Sequence, residues 1–420
     1  MKIAKCKMKD PAIPAGGSRP RGPLVLCPFT TILLQMIRRF LRGTILLALV
    51  CAGAGPTSAP TFDDAAAAAH GMATLELIRQ RMTLPDGSGL FAQEIHPADP
   101  SFKLTGADCW SAGVQLTALT AAARLDPQKY QPQVRRLVDA LNEHYWSDTN
   151  GIGGYDDGPH PKPPDRYYDD NAWVVLGLIE AYEVGHDPKD LDRASATLRY
   201  VLSGEDDQLG GGLYWRELAK ESKNTCSNAP GIAAALRIYT YTHDRSQLDA
   251  AIRLYRWTVK HLRDDRDYLY YDNLTLAGHL SDKKWSYNTA LMIRSGCLLY
   301  DVTGDATYLH DAEHSAASAV AKWVDPATGT FADPSYFAHL LADALLDLSA
   351  RDHDPRWAAI DHQAIAWVWA NLRDPAGFFP ERWGRRLHGP VRIARLINQA
   401  SAARAFLRAA WPDAPPSPAH

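Results

Sequence analysis

WVVLGLIEAYEVGHDPKDLDRASATLRYV, residues 173–201, holds two helices of unlike character joined by a turn at His186-Asp187. The first is apolar almost all round; the second is more charged and amphipathic. The pattern returns as GIAAALRIYTYTHDRSQLDAAIRLYRWTV at 231–259 and TALMIRSGCLLYDVTGDATYLHDAEHSAA at 289–317, with His-Asp or Gly-Asp at the turn. GVQLTALTAAARLDPQKYQPQVRRLV at 113–138 and LLADALLDLSARDHDPRWAAIDHQAI at 340–365 fit it too, and a last apolar helix, RLINQASAARAFLRAA, starts at Arg395. A helix apolar all round is buried, whereas a half-charged one covers it. The chain therefore predicts an inner and an outer helical layer.

The apolar helices begin near residues 113, 173, 231, 289, 340 and 395. Common helical solenoids repeat every 34–47 residues or so, and this spacing is longer. The excess lies in Gly-, Asn- and Trp-rich segments such as WSDTNGIGGYDDGPHPKPPDRYYDD at 146–170. Long loops recurring on one side of a helical array usually carry function. Six helix pairs close into an all-α (α/α)6 toroid, with the long loops gathered at one mouth; an open superhelix is the alternative. DAAAAAHGMATLELIRQRM at 64–82 is expected as the outer partner of the first inner helix, and regular strands are not expected.

The N-terminus is set apart from the fold. TILLALVCAGA at 44–54 follows Arg38, Arg39 and Arg42 and ends in small residues, which is the pattern of an export signal and too short to span a membrane. The leader before it is long, and Met36 would give a conventional start. The expected organisation is a leader over 1–54, the toroid over 55–411 and a disordered Pro/Ala-rich tail over 412–420. Without the leader the chain carries 36 Lys/Arg against 47 Asp/Glu, a net charge of −11. That excludes a nucleic-acid binder, which needs a basic face, and suits a neutral sugar polymer. Cys109, Cys226 and Cys297 remain, an odd, sparse set with neither disulfide framework nor zinc spacing, so they are read as unbridged buried thiols.

Tyr167-Tyr168-Asp169-Asp170-Asn171-Ala172-Trp173 is the strongest local signal, because it stands immediately before an inner helix. Glycosidic cleavage needs two carboxyl groups flanking the bond, one ionised and one protonated. Like charges a few Å apart resist ionising together, so an adjacent pair separates the two states. Neighbouring Cα atoms lie about 3.8 Å apart, and splayed side chains reach the roughly 5–5.5 Å of retaining enzymes. The alternative is that one aspartate merely caps the helix. A second pair, Asp156-Asp157 in GGYDDGPH, lies among glycines and a proline and reads as a turn.

Other loops repeat the logic. GGGLYWRE at 210–217 sets Gly211 and Gly212 beside Trp215, allowing close backbone approach to a flat ligand. Asn224 and Asn228 precede an inner helix, where Asn either caps it or binds hydroxyl groups. Asp272 in YYDNL, Trp285, Tyr287 and Asn288 in WSYNTA, and Asp108 and Trp110 in ADCWSAG occupy equivalent places. With Tyr168 and Trp173 they form the expected binding set. HExxH, Walker and GxSxG signatures are absent and the histidines are scattered, so no metal and no cofactor are expected.

YYDDNAW, GGGLYWRE, KNTCSNAP and WSYNTA, in this order, resemble glycoside hydrolase family 76, the endo-α-1,6-mannanases. The resemblance covers residues 100–310 well and the rest by helix pattern. It implies an (α/α)6 toroid and retaining hydrolysis, with Asp169 as nucleophile and Asp170 as acid/base, and an α-1,6-linked mannose backbone in the mouth. Where the family has a YNQG-like segment this chain has Tyr287-Asn288-Thr289-Ala290, a departure expected to alter a subsite. Two further functions fit the same scaffold: a transglycosylase of cell-wall glycans and a non-catalytic glycan binder. The intact Asp pair favours a hydrolase, exported to the periplasm or exterior, acting as a monomer with no membrane span once the leader is removed.

Overall fold

The computed structural model describes residues 62–149, 151–161 and 165–410. The leader at 1–54, the alternative start at Met36 and the tail at 412–420 lie outside the described residues.

Twelve α-helices are built in this part of the chain. The inner ones are α2 (Cys109–Leu125), α4 (Tyr168–Gly185), α6 (Thr225–Thr242), α8 (Ser286–Thr303), α10 (Ser335–Asp352) and α12 (Leu396–Ala409). The outer ones are α1 (Asp64–Met82), α3 (Pro127–His144), α5 (Pro188–Leu202), α7 (Arg245–Leu262), α9 (Ala306–Trp323) and α11 (Pro355–Leu372). Each inner helix packs on the next, and α12 packs back on α2, so the ring is closed. The fold is an (α/α)6 toroid.

The hairpin turns explain why the repeat was visible. His186, His243, Gly304 and His353 sit in the left-handed region with φ of 55°, 54°, 70° and 58°, each returning its N–H to the carbonyl four residues back. The next residue is always Asp, and its carboxylate accepts the backbone N–H two residues on, at Lys189, Ser246, Thr307 and Arg356. One residue stops the inner helix and the next caps the outer one. With the short turns at one end, the long connections collect at the other and form the mouth. The strands there are two to four residues long and pair into four two-stranded ladders.

One pairing differs from expectation. α1 packs chiefly on α12, not on α2, whose outer partner is α3. Gly71 decides this, because a Cβ there would lie 2.4 Å from Leu407 Cγ; only glycine lets the two helices close to that distance. His70 stacks on Trp369 at 3.6 Å beside Phe406, so the first helix seals the ring through its last pair.

Cys109, Cys226 and Cys297 are buried on three different inner helices. Asp361 of α11 is fully buried, and neither carboxyl oxygen has a hydrogen-bond partner among the described residues. Burial, then the Asp343 charge, holds its pKa well above the usual range, against a smaller opposing effect of Arg408. A raised folded pKa stabilises below the unfolded value near 4 and loses that contribution as pH climbs through the folded one. Asp361→Leu is therefore expected to raise the melting temperature at pH 7–8 by about 2–4 °C, for roughly 1–3 kcal/mol of unpaired polar burial. Thermal scans should show the gain shrinking toward pH 4, where the carboxyl is protonated in both states; a constant gain would mean that packing, not charge, is responsible.

Candidate active site

Asp169 and Asp170 lie inside the first turn of α4. The residue at the cap position is Tyr167, which makes no side-chain cap bond, so neither aspartate is the N-cap. At about 100° per residue, Asp169, Asp170 and Trp173 share one arc of the helix, while Tyr168, Asn171 and Ala172 face the other way. Trp173 lines a small cavity on the ring's axis with Val114, Thr117 and Leu176, which places the two carboxylates above it at the mouth. Both are buried.

Asp169 is held from two sides. Its Oδ2 accepts from the Trp215 indole Nε1 at 3.1 Å, and its Oδ1 accepts from the Asp170 backbone N–H at 3.0 Å. Donors of this kind favour the ionised form of a carboxylate. Trp215 is fixed in turn: its carbonyl accepts the Tyr168 N–H, and its ring meets Tyr167 edge-on at 5.0 Å. Arg216 bonds Asp165 through two nitrogens at 2.8 and 2.7 Å. The buried Arg166 joins Glu217 to the carbonyl of Ile152, tying the 146–155 hairpin to this wall. Asp170 acts electrostatically on the hydroxyls of Tyr167 and Tyr200.

The aromatic floor comes from three helices. Tyr287 of α8 stacks on Phe337 of α10 at 4.0 Å, with Trp285 at 5.6 Å from the same ring. Trp110 of α2 reaches Tyr336 at 5.5 Å and Phe337 at 6.1 Å. Tyr336 and Phe337 were missed in the sequence, although an aromatic pair in the first turn of an inner helix was the available signal. Near this floor, Asp272 Oδ1 accepts from Asn288 Nδ2 at 3.2 Å and its Oδ2 from Asn273 Nδ2 at 3.0 Å.

Several residues of the expected binding set hold the framework together. Tyr168 is buried against Tyr200 at 5.1 Å with Tyr214 beside it, on the face of α4 turned from the mouth. Gly211 and Gly212 do admit a flat group, but it is the ring of Trp257 of α7: a Cβ on Gly212, at φ +78°, would lie 2.7 Å from it. Asp108 is the N-cap of α2, accepting from Ser111 N at 2.7 Å, and Gln93 bonds its other oxygen at 3.0 Å. Asn224 stands at the cap position of α6 without a cap bond, its Oδ1 accepting from Ser222 Oγ.

Asn228 belongs to a repeated clamp. The fourth residue of an inner helix grips the preceding loop: Asn171 bonds Tyr155 N and O, Asn228 bonds Leu213 N and O, and Gln399 bonds Phe379 N and O. In α8 that position is Thr289, fully buried, whose Oγ1 accepts from Tyr270 N at 3.3 Å. The YNTA departure therefore falls on a loop-anchoring position of α8. Asp156, of the competing pair, is buried beside His160 at 3.4 Å with its pKa raised by burial. The carbonyl of Asp157 accepts the first N–H of α2.

This chain matches the family model "Glycosyl hydrolase family 76" over residues 89–361. It is 32% identical over 128 residues to the mannan endo-1,6-alpha-mannosidase DCW1 of Candida glabrata, covering 28% of each chain. It is 26% identical over 276 residues to the meiotically up-regulated gene 191 protein of Schizosaccharomyces pombe, covering 57% of this chain and 60% of that one. The chain thus spans less than two thirds of the length of these curated relatives. A family 76 α-mannanase of Bacteroides thetaiotaomicron superposes with a TM-score of 0.77 at 31% identity, covering 83% of this chain and 98% of that one. An inactive variant of the α-1,6-mannanase GH76A of Salegentibacter sp. HEL1_6, in complex with α-1,6-mannotriose, shares the fold at a TM-score of 0.70 and 20% identity, covering 82% and 99%. A family model matched over more than half of the sequence, and a fold shared at 31% identity over nearly all of a known α-mannanase, lead to one conclusion: this protein belongs to glycosyl hydrolase family 76.

Proposed function

We propose that this protein is a retaining endo-α-1,6-mannanase. The observation that carries the reading is the pair of buried carboxylates on one arc of α4, with the Trp215 indole bonded to the first of them. In the first step Asp169 attacks the anomeric carbon while Asp170 passes its proton to the leaving glycosidic oxygen, whose bond to that carbon breaks. In the second, Asp170 takes a proton from water, the water oxygen bonds to the anomeric carbon, and Asp169 leaves. Asp272, Asn288, Trp110, Trp285 and Tyr287 bind the sugar chain across the mouth, where aromatic faces suit sugar rings. The names of the relatives, an endo-1,6-mannosidase and an α-1,6-mannanase holding mannotriose, support this substrate.

The enzyme is exported and works as a monomer on a polysaccharide. The apolar stretch at 44–54 supports export, and ring closure within one chain supports a monomer. Among the described residues no helix is long and apolar enough to cross a membrane.

The test is digestion of linear α-1,6-mannan followed by proton NMR. A ladder of oligomannosides whose first-formed reducing ends are α-anomers is expected. Mannose alone would overturn endo action, and β-anomers would overturn retention. Trp215→Phe keeps the ring and removes the indole N–H, so kcat should fall by about 10–100-fold, or roughly 1.4–2.7 kcal/mol, with KM changed less than about threefold. Steady-state kinetics on the same mannan separate this from a binding role, in which KM would rise and kcat would hold.

A further inference from the structure

Opposite α4 across the ring, the connection from α11 to α12 carries ERWGRRLHGPVRIAR at 381–395. It is pinned at both ends. The Glu381 carbonyl accepts Ser335 N at 2.6 Å at the mouth end of α10, and Arg382 bridges to Pro334. Trp383 is buried, Val391 N donates to Asp374 at 2.9 Å, and Ala394–Arg395 pair with Glu94–Ile95. Between the anchors an exposed arm presents Arg385, Arg386 and His388.

The charge of this loop goes against the rest of the molecule. It holds five Arg and one Glu, whereas the chain beyond the leader is net −11. Arg395 is satisfied by Glu381 and Glu94. Arg382, Arg385, Arg386 and Arg392 are exposed and form no ion pair among the described residues, although ion pairs engage most arginines on the inner helices. At the edge of the aromatic floor, burial and then the Glu381 charge raise the pKa of the Tyr336 hydroxyl, with Arg382 and Arg395 acting against them and Asp333 adding to the rise. A sugar chain running from Asp169 and Asp170 over Trp110 and Phe337 would arrive at this loop.

We propose that residues 381–395 form a subsite for a phosphate ester carried by the mannan substrate. Guanidinium groups bond phosphate oxygens in pairs and stay charged at every working pH. Four that form no ion pair among the described residues, beside an aromatic path, match a neutral chain bearing a local anion. The inference rests on the mannanase reading for the identity of the chain.

The test is calorimetric binding to the full chain carrying Asp170→Asn, which slows turnover. The ligands are α-1,6-mannotetraose and the same tetraose with one phosphate at its reducing or its non-reducing end. At 50 mM salt one phosphorylated form should bind at least tenfold tighter than the neutral one, and at 0.5 M salt within about threefold of it, since salt screens exposed charges. Adding Arg382→Gln, Arg385→Gln, Arg386→Gln and Arg392→Gln should bring the ratio of affinities close to one. Equal affinity in the parent overturns the subsite. An equal gain from a uronate-capped tetraose overturns its assignment to phosphate. Binding to phosphatidylinositol vesicles with no preference among the sugars overturns it in favour of a membrane surface. Hydrolysis of neutral mannan by the unaltered chain decides the mannanase reading separately, so the two can fail independently.

Discussion

Asp169→Asn and Asp170→Asn are each expected to slow hydrolysis of α-1,6-mannan by at least about a thousandfold, or ~4 kcal/mol of barrier. Neither change should unfold the protein. The helix cap is Tyr167, and Asp169 accepts from the neighbouring amide and the Trp215 indole. Removing one of two adjacent buried carboxylates also relieves like-charge repulsion, so melting temperatures should hold or rise. The roles separate with azide. In Asp169→Ala an external azide takes the place of the nucleophile on the opposite face and yields a β-mannosyl azide. In Asp170→Ala the covalent intermediate still forms from an activated aryl mannoside, and azide then yields the α-product. An α-product from the first variant would exchange the two assignments. Full activity in either variant would remove that aspartate from the chemistry.

The ring was legible because its punctuation is local. A left-handed His or Gly followed by a capping Asp recurs at 186–187, 243–244, 304–305 and 353–354, and each pair is a sequence feature with one physical purpose. The candidate catalytic aspartates were legible for the same reason, as neighbours beside a helix start. Side-chain direction was harder. Tyr168 and Asp169 differ by one residue, yet about 100° of helical rotation turns one to the Tyr200 layer and the other to the mouth. Gly212 advertised a flat neighbour, and only folding shows it to be Trp257, 45 residues away in sequence. The pairing of α1 with α12 depends on Gly71 meeting Leu407, a contact that no local pattern encodes. The arginines at 382–392 were hidden by the net negative charge of the chain, since an average conceals a cluster.

Beneath the mouth the axis is closed by charge, and Arg404 is its hub. From α12 it donates to Glu180 of α4 at 2.8 and 3.0 Å, to Asp343 of α10 at 3.1 Å and to the Thr117 carbonyl of α2 at 2.8 Å. Glu180 lies 11 residues beyond Asp169 on the same arc of α4, about 16 Å deeper at 1.5 Å per residue. Burial alone would raise its pKa, but the charges of Arg404, Arg124 and Arg237 together outweigh burial and bring it down to about 2. Arg404→Met keeps the volume and leaves two buried carboxylates short of a partner. Breaking such a set costs roughly 3–5 kcal/mol, a drop of about 4–8 °C for a domain of this size. A depressed carboxyl pKa stabilises above the unfolded value and loses that contribution as pH falls through the folded one. The gap between parent and variant should therefore be widest near pH 7 and narrow from about pH 4 down toward 2. Adding Glu180→Gln and Asp343→Asn to Arg404→Met should recover most of the loss, because a network without charge needs no counter-ion. Melting curves of the parent, single and triple variants at pH 7 and pH 4 decide the matter. A triple variant as unstable as the single one would show that Arg404 holds the ring through packing rather than charge.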